Sequence, residues 1–193
     1  MTTLITSMAS SARAADACQP GPGAACAGAD LRNRDLSGLD LTGANFVGAN
    51  LAGGRLTEVI ATGADFTRAQ LPGANLQAAT LEWARFVRAN LSGVDALDAN
   101  FTQANLTRAN LTGAELGNAY LVKTNFTRAN MSNAEVFGSY WTGNRLARLN
   151  LSGVDLSQIQ TDAEGRSRLL RDLRLTVQCQ TRLPDGRLSN RDC

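Results

Sequence analysis

The chain has 193 residues and a net charge of only +2, so its overall charge indicates neither nucleic acid nor a membrane surface as a partner. It contains no histidine, which removes the commonest general base and the commonest metal ligand. The length is sufficient for one domain with a complete core. No apolar run of about 18 residues predicts a membrane helix.

Residues 1–17 are rich in Ser, Ala and Thr, and this composition predicts a disordered leader. Ala12-Arg13-Ala14 has the small-x-small pattern of a signal cleavage site. The segment is therefore either a plain disordered terminus or the remnant of an export signal.

All four cysteines lie near the ends of the chain. Cys18 and Cys26 flank a predicted N-terminal cap at residues 18–28, and Cys179 and Cys193 flank a Pro-Asp-Gly turn. Two local pairs predict disulfides that hold the caps, and hence an oxidising compartment. Free thiols and one metal site built from all four cysteines are the alternatives, although neither pair has the short C-x2-C spacing.

Residues 29–158 carry a large apolar residue at every fifth position, from Leu31 to Leu156, with Ala61 and Ala96 as the exceptions. A helix needs an apolar spacing of about 3.6 and a strand a spacing of 2, so neither explains the pattern. Self-similarity at a fixed period predicts a solenoid, in which each unit buries its apolar side against the next.

A second period gives the size of one coil. Phe46, Phe66, Phe86 and Phe126 all fall on one series that takes every twentieth position of the chain. Since four pentapeptides fill that interval, each coil is predicted to have four sides.

The phrases Ala44-Asn45-Phe46, Ala49-Asn50-Leu51 and Ala109-Asn110-Leu111 resemble the A(D/N)LXX consensus of the pentapeptide repeat family. This resemblance implies an all-β solenoid, a right-handed quadrilateral β-helix of about six to seven coils. It further implies that the central Leu or Phe and the residue two before it point inward, while the other three positions face solvent. Some members of this family protect DNA gyrase from quinolones or toxins by mimicking duplex DNA.

Residues 159–193 predict a C-terminal cap made of a short helix and a hairpin. A capping box at Thr161–Glu164 starts a helix that is expected to reach Leu175. A two-stranded hairpin of residues 176–182 and 187–191 follows. Four leucines of the helical segment are expected to cover the last coil: Leu169, Leu170, Leu173 and Leu175.

When the pentapeptides are sorted by which of the four sides of a coil they form, two opposite sides of the rod differ in charge. The basic side, which carries Phe46 and Phe66, has one acidic residue, Asp65, and the following arginines: Arg68, Arg85, Arg88, Arg108, Arg128, Arg145 and Arg148. The acidic side, two pentapeptides away, has Arg34 and Arg55 and the following acids: Asp35, Glu58, Asp95, Asp98, Glu115, Glu135 and Asp155. The basic side is a candidate binding surface, while solvated charges copied by repeat duplication are the alternative.

The two remaining sides carry no net charge pattern of this kind. The aromatic side has outward Trp83, Tyr120 and Tyr140, which are candidates for self-association as a homodimer because exposed aromatics are enriched at interfaces. Coverage of these rings by the cap helix is the alternative. The asparagine side has a line of amides that we interpret as structural: Asn50, Asn90, Asn110, Asn130 and Asn150.

The sequence carries no catalytic motif and predicts no metal site and no cofactor. We expect a non-enzymatic rigid scaffold that presents its charged sides to a protein partner or an anionic surface. Sequence-specific nucleic acid is not expected, because one arginine every ~5 Å does not match the phosphate spacing of roughly 6–7 Å along an extended strand, and a duplex carries one charge per ~1.7 Å of axis. The alternative function, implied by the family, is protection of gyrase through DNA mimicry. A periplasmic or otherwise exported location is expected from the cysteines, with the cytoplasm as the alternative.

Overall fold

The computed structural model describes residues 18–193, so the leader predicted for residues 1–17 lies outside the described residues. Parallel bridges join each bridging residue to the one at the twentieth position after it, from Ala25↔Asn45 to Tyr140↔Gln160. One coil therefore consists of four pentapeptides and has four sides, which confirms the predicted solenoid. Its right-handed sense and the count of coils stay predictions.

Most pentapeptides make one β-turn and bridge the neighbouring coils, although residues 141–145 form no turn and Glu135 does not bridge Asp155. In the unit around Phe66, the carbonyl of Phe66 accepts the backbone N–H of Ala69 at 3.0 Å, which closes the turn. The third residue of this turn, Arg68, has a φ of 60°, as a type II turn requires. Glycine takes this position in many units because it adopts a positive φ without strain, as at Gly113.

The core is a set of inward columns that run along the rod. Both predicted inward positions are buried in most units, such as Phe66 and the Ala64 that lies two residues before it, although Arg34 and Leu39 at the second position are exposed. The rings of Phe46, Phe66 and Phe86 stack in one column with centroids 5.1 and 4.8 Å apart. Small residues at the second inward position let the four sides approach each other, so the rod is filled rather than hollow.

The repeat geometry begins earlier than the predicted start at residue 29. Ala25 already bridges Asn45, and Cys26 is 1% exposed. Cys26 lies five residues before Leu31 and fills the inward position as a leucine does, which is why the coil includes it. The Cys18–Cys26 disulfide, with a Cα–Cα distance of 5.0 Å, therefore closes the N-terminal end of an inward column.

At the C-terminal end, α1 spans Ala163–Asp172 and a 3-10 turn continues it over Leu173–Leu175. The N-cap is Asp162, whose side chain accepts the N–H of Gly165, rather than the predicted Thr161. Leu169 and Leu173 are buried as expected, whereas Leu170 and Leu175 are 38% and 61% exposed and do not cover the coil. Leu175 lies two residues after the buried Leu173, so helical geometry places it on the opposite, outward face.

The predicted hairpin is reduced to two short antiparallel strands, β1 at Thr181–Arg182 and β2 at Leu188–Ser189. The prediction of one strand over residues 176–182 is wrong for a physical reason. Val177 and Arg182 instead bridge Asn150 and Asp155 in parallel, so this segment continues two sides of the solenoid beyond the last full coil.

Candidate functional site

The arginines of the basic side form two separate rows. One row occupies the third turn position of successive coils and all of its members have a positive φ of about 60°: Arg68, Arg88, Arg108, Arg128 and Arg148. We call these five residues the arginine row. Arg85 and Arg145 lie instead in the bridge ladder that also contains Asp65, Asn105 and Asn125. All seven side chains are exposed.

Local hydrogen bonds fix the turns that present the arginine row. The side-chain oxygen of Asn105 accepts both the backbone N–H and the hydroxyl of Thr107, at 3.1 and 2.6 Å. Asn125 holds Thr127 in the same way, at 3.1 and 2.7 Å. Because each pair immediately precedes an arginine, the direction in which Arg108 and Arg128 leave the rod is set by the repeat itself.

A shallow groove of about 490 Å³ runs along this side of the rod. Two parallel lines of residues form the groove. One line consists of Thr67, Val87, Thr107 and Thr127, and the other consists of Arg68, Arg88, Arg108 and Arg128. The groove thus offers guanidinium donors in register along the rod axis, because the hydroxyls of Thr107 and Thr127 already donate to Asn105 and Asn125. Such an arrangement is suited to an extended acceptor or a row of carboxylates.

Ion pairing neutralises little of the basic side. Arg85 lies 3.4 Å from the carboxylate of Asp65 in the preceding coil. Within residues 18–193, no carboxylate forms an ion pair with any member of the arginine row. The positive charge of that row is therefore left for solvent or a partner.

The negative charge of the acidic side is interrupted by ion pairs near both ends of the rod. Arg55 pairs with Asp35 at 3.7 Å, while Asp95, Glu115 and Glu135 follow one another in the bridge ladder. The cap adds a cation that the repeats did not reveal, because Arg182 lies 3.3 Å from Asp155. The acidic surface is thus concentrated in the middle of the rod.

The same side contains a cleft of about 300 Å³ between the coils of Glu135 and Asp155, where the ladder lacks a bridge. Phe137 lies at its edge with 66% of its surface exposed. Sequence reasoning missed this ring, although it occupies an outward pentapeptide position where a polar residue is usual.

The predicted aromatic cluster is only partly brought together. The rings of Tyr120 and Tyr140 stack with centroids 4.7 Å apart and planes 6° apart. Trp83 is 58% exposed but belongs to the turn row of an earlier coil, and it stacks with neither tyrosine. The cap helix leaves Tyr120 46% exposed.

The asparagine side contains hydrogen bonds between coils. Asn110 donates to the side-chain oxygen of Asn90 at 3.2 Å, and Asn150 donates to that of Asn130 at 2.9 Å. Amides that bond along the axis stabilise the stacking of coils. These contacts favour the structural interpretation of this side.

The four cysteines form two local disulfides, Cys18–Cys26 and Cys179–Cys193, with Cα–Cα distances of 5.0 and 4.9 Å. These distances lie within the usual range for disulfides. With all four sulfur atoms bonded in pairs, this structure does not contain the metal site considered as an alternative. Among residues 18–193, no helix is both long and apolar enough to cross a membrane.

Comparison with known proteins gives a family match and several solved structures. The model of the family described as pentapeptide repeats matches eight copies, over residues 24–60, 55–86, 84–121 and 104–140. No curated protein gives a significant match.

Among solved structures, HetL of the cyanobacterium Nostoc sp. strain PCC 7120, a pentapeptide repeat protein involved in heterocyst differentiation regulation, is 26% identical. The match covers 84% of this chain and 78% of HetL, with a TM-score of 0.40. A pentapeptide repeat protein of the Arabidopsis thaliana thylakoid lumen is 24% identical over 76% of this chain and 77% of its own, with a TM-score of 0.30.

QnrB1, a plasmid-mediated fluoroquinolone resistance protein, is 19% identical over 78% of this chain and 87% of its own, with a TM-score of 0.38. The family match covers more than half of the chain and coincides with the coils that the bridges define. The chain therefore belongs to the pentapeptide repeat family.

Proposed function

We propose that this protein is a non-enzymatic rigid scaffold that binds an acidic surface of a protein partner through its basic side. The observation that carries the proposal is the arginine row, which is exposed, has no acidic partner within residues 18–193 and lines a continuous groove. A rod with a filled core changes shape little, so it presents these groups at fixed spacing. Pre-organisation of this kind lowers the entropic cost of binding.

The arginine row is unfavourable for the fold itself. A residue other than glycine with positive φ costs of order 1–3 kcal/mol. Like charges about 5 Å apart repel by a further ~0.8 kcal/mol per pair in bulk water. Gly28 and Gly48 occupy the same position two coils and one coil before Arg68, with φ of 68° and 67°, and avoid both costs. Ala78 and Trp83 adopt the same positive φ in their turns, so the cost specific to this row is the repulsion between stacked arginines, which is expected where the side chains have another use.

Simple copying of one repeat does not explain the row. The five units that end in these arginines read ADFTR, ARFVR, ANLTR, TNFTR and NRLAR. Four of the five positions vary among the units, including the other two outward positions, while the arginine does not. Selection for the arginine side chain accounts for this pattern better than duplication.

The chemistry of the surface supports a binding role rather than catalysis. The groove of the basic side is lined by Thr, Val and Arg, which include no general base. Arginine stays protonated at physiological pH and therefore serves as a fixed cation. The arrangement suits carboxylate recognition and offers no nucleophile beside a base.

We further propose that the protein functions in an oxidising compartment, as in a periplasmic or otherwise exported protein. The two disulfides of the caps support this location. Thiol counting on denatured, unreduced protein from its native compartment tests it. The proposal expects no free thiol, and four free thiols would contradict it.

Protection of gyrase by DNA mimicry is a second candidate, supported by the ladder of Asp95, Glu115 and Glu135. A supercoiling assay with gyrase and a quinolone tests it, with a variant that replaces these three acids by their amides as the comparison. Restored supercoiling by the wild type alone would favour this candidate. No effect of micromolar wild-type protein would exclude it.

The leading proposal is tested by quantitative capture of partners from a native extract. The test variant carries Arg88→Glu, Arg108→Glu and Arg128→Glu. The control carries Arg34→Glu, Arg171→Glu and Arg174→Glu, three exposed arginines outside the basic side that form no ion pair among the described residues. Both variants change the net charge equally. The proposal expects the test variant alone to lose the partner, whereas equal recovery by all three proteins would refute it.

A further inference from the structure

The basic and acidic sides of one rod face in opposite directions at the same height. The coil returns to the same side after four pentapeptides, so positions two pentapeptides apart lie on opposite sides of one coil. Arg108 and Asp98 are related in this way, as are Arg88 and Asp98. The middle of the basic side and the middle of the acidic side therefore lie at the same level of the rod.

The two sides also share one spacing, because a single chain builds both. Each coil advances every side by the same strand separation of about 4.8 Å. A row of arginines from one copy and a row of acids from another thus stay in register along the whole length when the rod axes are parallel. An unrelated partner would need a matching repeat by chance.

We propose that a second copy of this chain docks its acidic side onto the basic side, with the two rods side by side and their axes parallel. A sideways shift without rotation brings the arginine row of one copy to the level of Asp95, Glu115 and Glu135 of the other. Charge complementarity selects a second copy as the occupant. The inference rests on the proposed function of the basic side as a binding surface. Stacked like charges, which repel within each side, are thereby paired between copies.

The acids that this contact uses are available. Asp98, Glu115 and Glu135 are exposed and form no ion pair among residues 18–193. Asp95 accepts a hydrogen bond from the side chain of Gln77 at 2.6 Å, which leaves its charge without a cation. On the facing copy, the arginine row likewise pairs with no carboxylate of the described residues.

The symmetry of this contact determines the kind of assembly. The two surfaces differ, so the interface is heterologous and each added copy leaves one basic and one acidic side open. The result is a row that grows with concentration rather than a closed dimer. One side of the rod is narrow, so the interface belongs to the weak class below about 1,200 Å².

Sedimentation velocity of the full chain over a concentration series tests the inference. It is run at ionic strengths of about 0.01 M and about 1 M, where the screening lengths are ~30 Å and ~3 Å. The wild type is expected to form species larger than a monomer, increasing with concentration, at low ionic strength only. A wild type that stays monomeric at every concentration at low ionic strength would overturn the inference.

Two neutralised variants sharpen the test. One replaces Arg88, Arg108 and Arg128 by Gln and keeps only the acidic side, while the other carries Asp95→Asn, Glu115→Gln and Glu135→Gln and keeps only the basic side. Each alone is expected to be monomeric, and their equimolar mixture is expected to stop at a dimer. A mixture that stays monomeric overturns the inference.

Two further variants show whether the charged sides themselves make this contact. Arg34→Gln with Arg171→Gln and Arg174→Gln matches the charge change and is expected to assemble as the wild type does. Tyr120→Ser with Tyr140→Ser is likewise expected to leave assembly intact. Loss of assembly in this variant would assign the contact to the tyrosines instead. If the wild type is monomeric but its capture of a partner still depends on the arginines, the inference fails and the proposed function stands.

Discussion

Arg108 and Arg128 lie one coil apart on the basic side, and both hold a positive φ, of 60° and 61° respectively. Glycine is the residue that adopts this backbone conformation without strain. Each arginine therefore combines an unfavourable backbone conformation with repulsion from the next arginine. The fold and the proposed function make opposite demands at these positions, and this opposition can be measured.

We predict that Arg108→Gly raises the free energy of unfolding by about 0.5 to 1 kcal/mol while it weakens binding by the basic side. The relief of the positive φ outweighs the greater freedom of glycine in the unfolded chain. Urea denaturation measures the effect. Arg145→Gly is the matched control, because Arg145 lies in the bridge ladder and glycine in a strand lowers stability. An equal loss of stability in both variants would show that the positive φ at Arg108 carries no such strain.

The phenylalanine column predicts a second effect on stability. Phe66 is fully buried between Phe46 and Phe86, so Phe66→Ala is expected to cost about 3–5 kcal/mol. Phe66→Leu keeps most of the volume and is expected to cost under about 1.5 kcal/mol. Phe137→Ala serves as the control because its ring is 66% exposed, and it should change stability by no more than about 0.5 kcal/mol. A larger effect at Phe137 than at Phe66 would show that the column does not carry the core.

The repeats could be predicted from the sequence because each unit uses the same local rule. Leu31 and its successors at every fifth position fix which residues point inward, and the longer spacing from Phe46 to Phe66 fixes the coil. The ends could not be predicted as well, since there the rule stops. Nothing local in Val177 indicates that it bridges Asn150 in parallel, because that contact depends on how α1 displaces the chain.

The candidate site, too, could be predicted only where the repeat pattern determines it. The rows of the basic side follow from counting every twentieth position, so the pattern alone placed Arg88 beside Arg108. Their positive φ was not predicted, although Gly28 and Gly48 at the same position of the repeat could have indicated it. The pairing of Arg182 with Asp155 depended on the path of the cap and was out of reach of a pattern argument.

Asn144 replaces the usual small residue at an inward position and supports a third prediction. Its side-chain oxygen accepts the backbone N–H of Thr124 at 3.0 Å, and both residues are buried. Asn144→Ala leaves that N–H without a partner and is expected to cost about 1–3 kcal/mol. Hydrogen exchange by NMR should show faster exchange at Thr124, while the N–H of Asn125, which donates to Ala104 at 3.0 Å, stays protected. Unchanged exchange at Thr124 would contradict this role.

The disulfides of the caps give a fourth prediction. Cys26 is 1% exposed at the end of an inward column, and its bond to Cys18 closes a short loop. Cys26→Ser is expected to lower the free energy of unfolding by about 2–3 kcal/mol through lost loop closure, with a further loss from a buried hydroxyl. Cys18→Ser removes the same bond but leaves Cys26 in the column, so it separates the two effects. Wild-type protein whose urea midpoint is unaffected by reductant would refute a stabilising role of the disulfides.

The central claim is that the basic side binds carboxylates through the arginine row, and a direct titration tests it. Poly-glutamate is the defined acidic probe, and isothermal calorimetry at low ionic strength measures its affinity. Arg88→Gln with Arg108→Gln and Arg128→Gln is compared with the control Arg34→Gln, Arg171→Gln and Arg174→Gln, which has the same net charge. We predict an affinity at least about tenfold lower, equal to about 1.4 kcal/mol, for the first variant alone. Equal affinities of the two variants would contradict the claim.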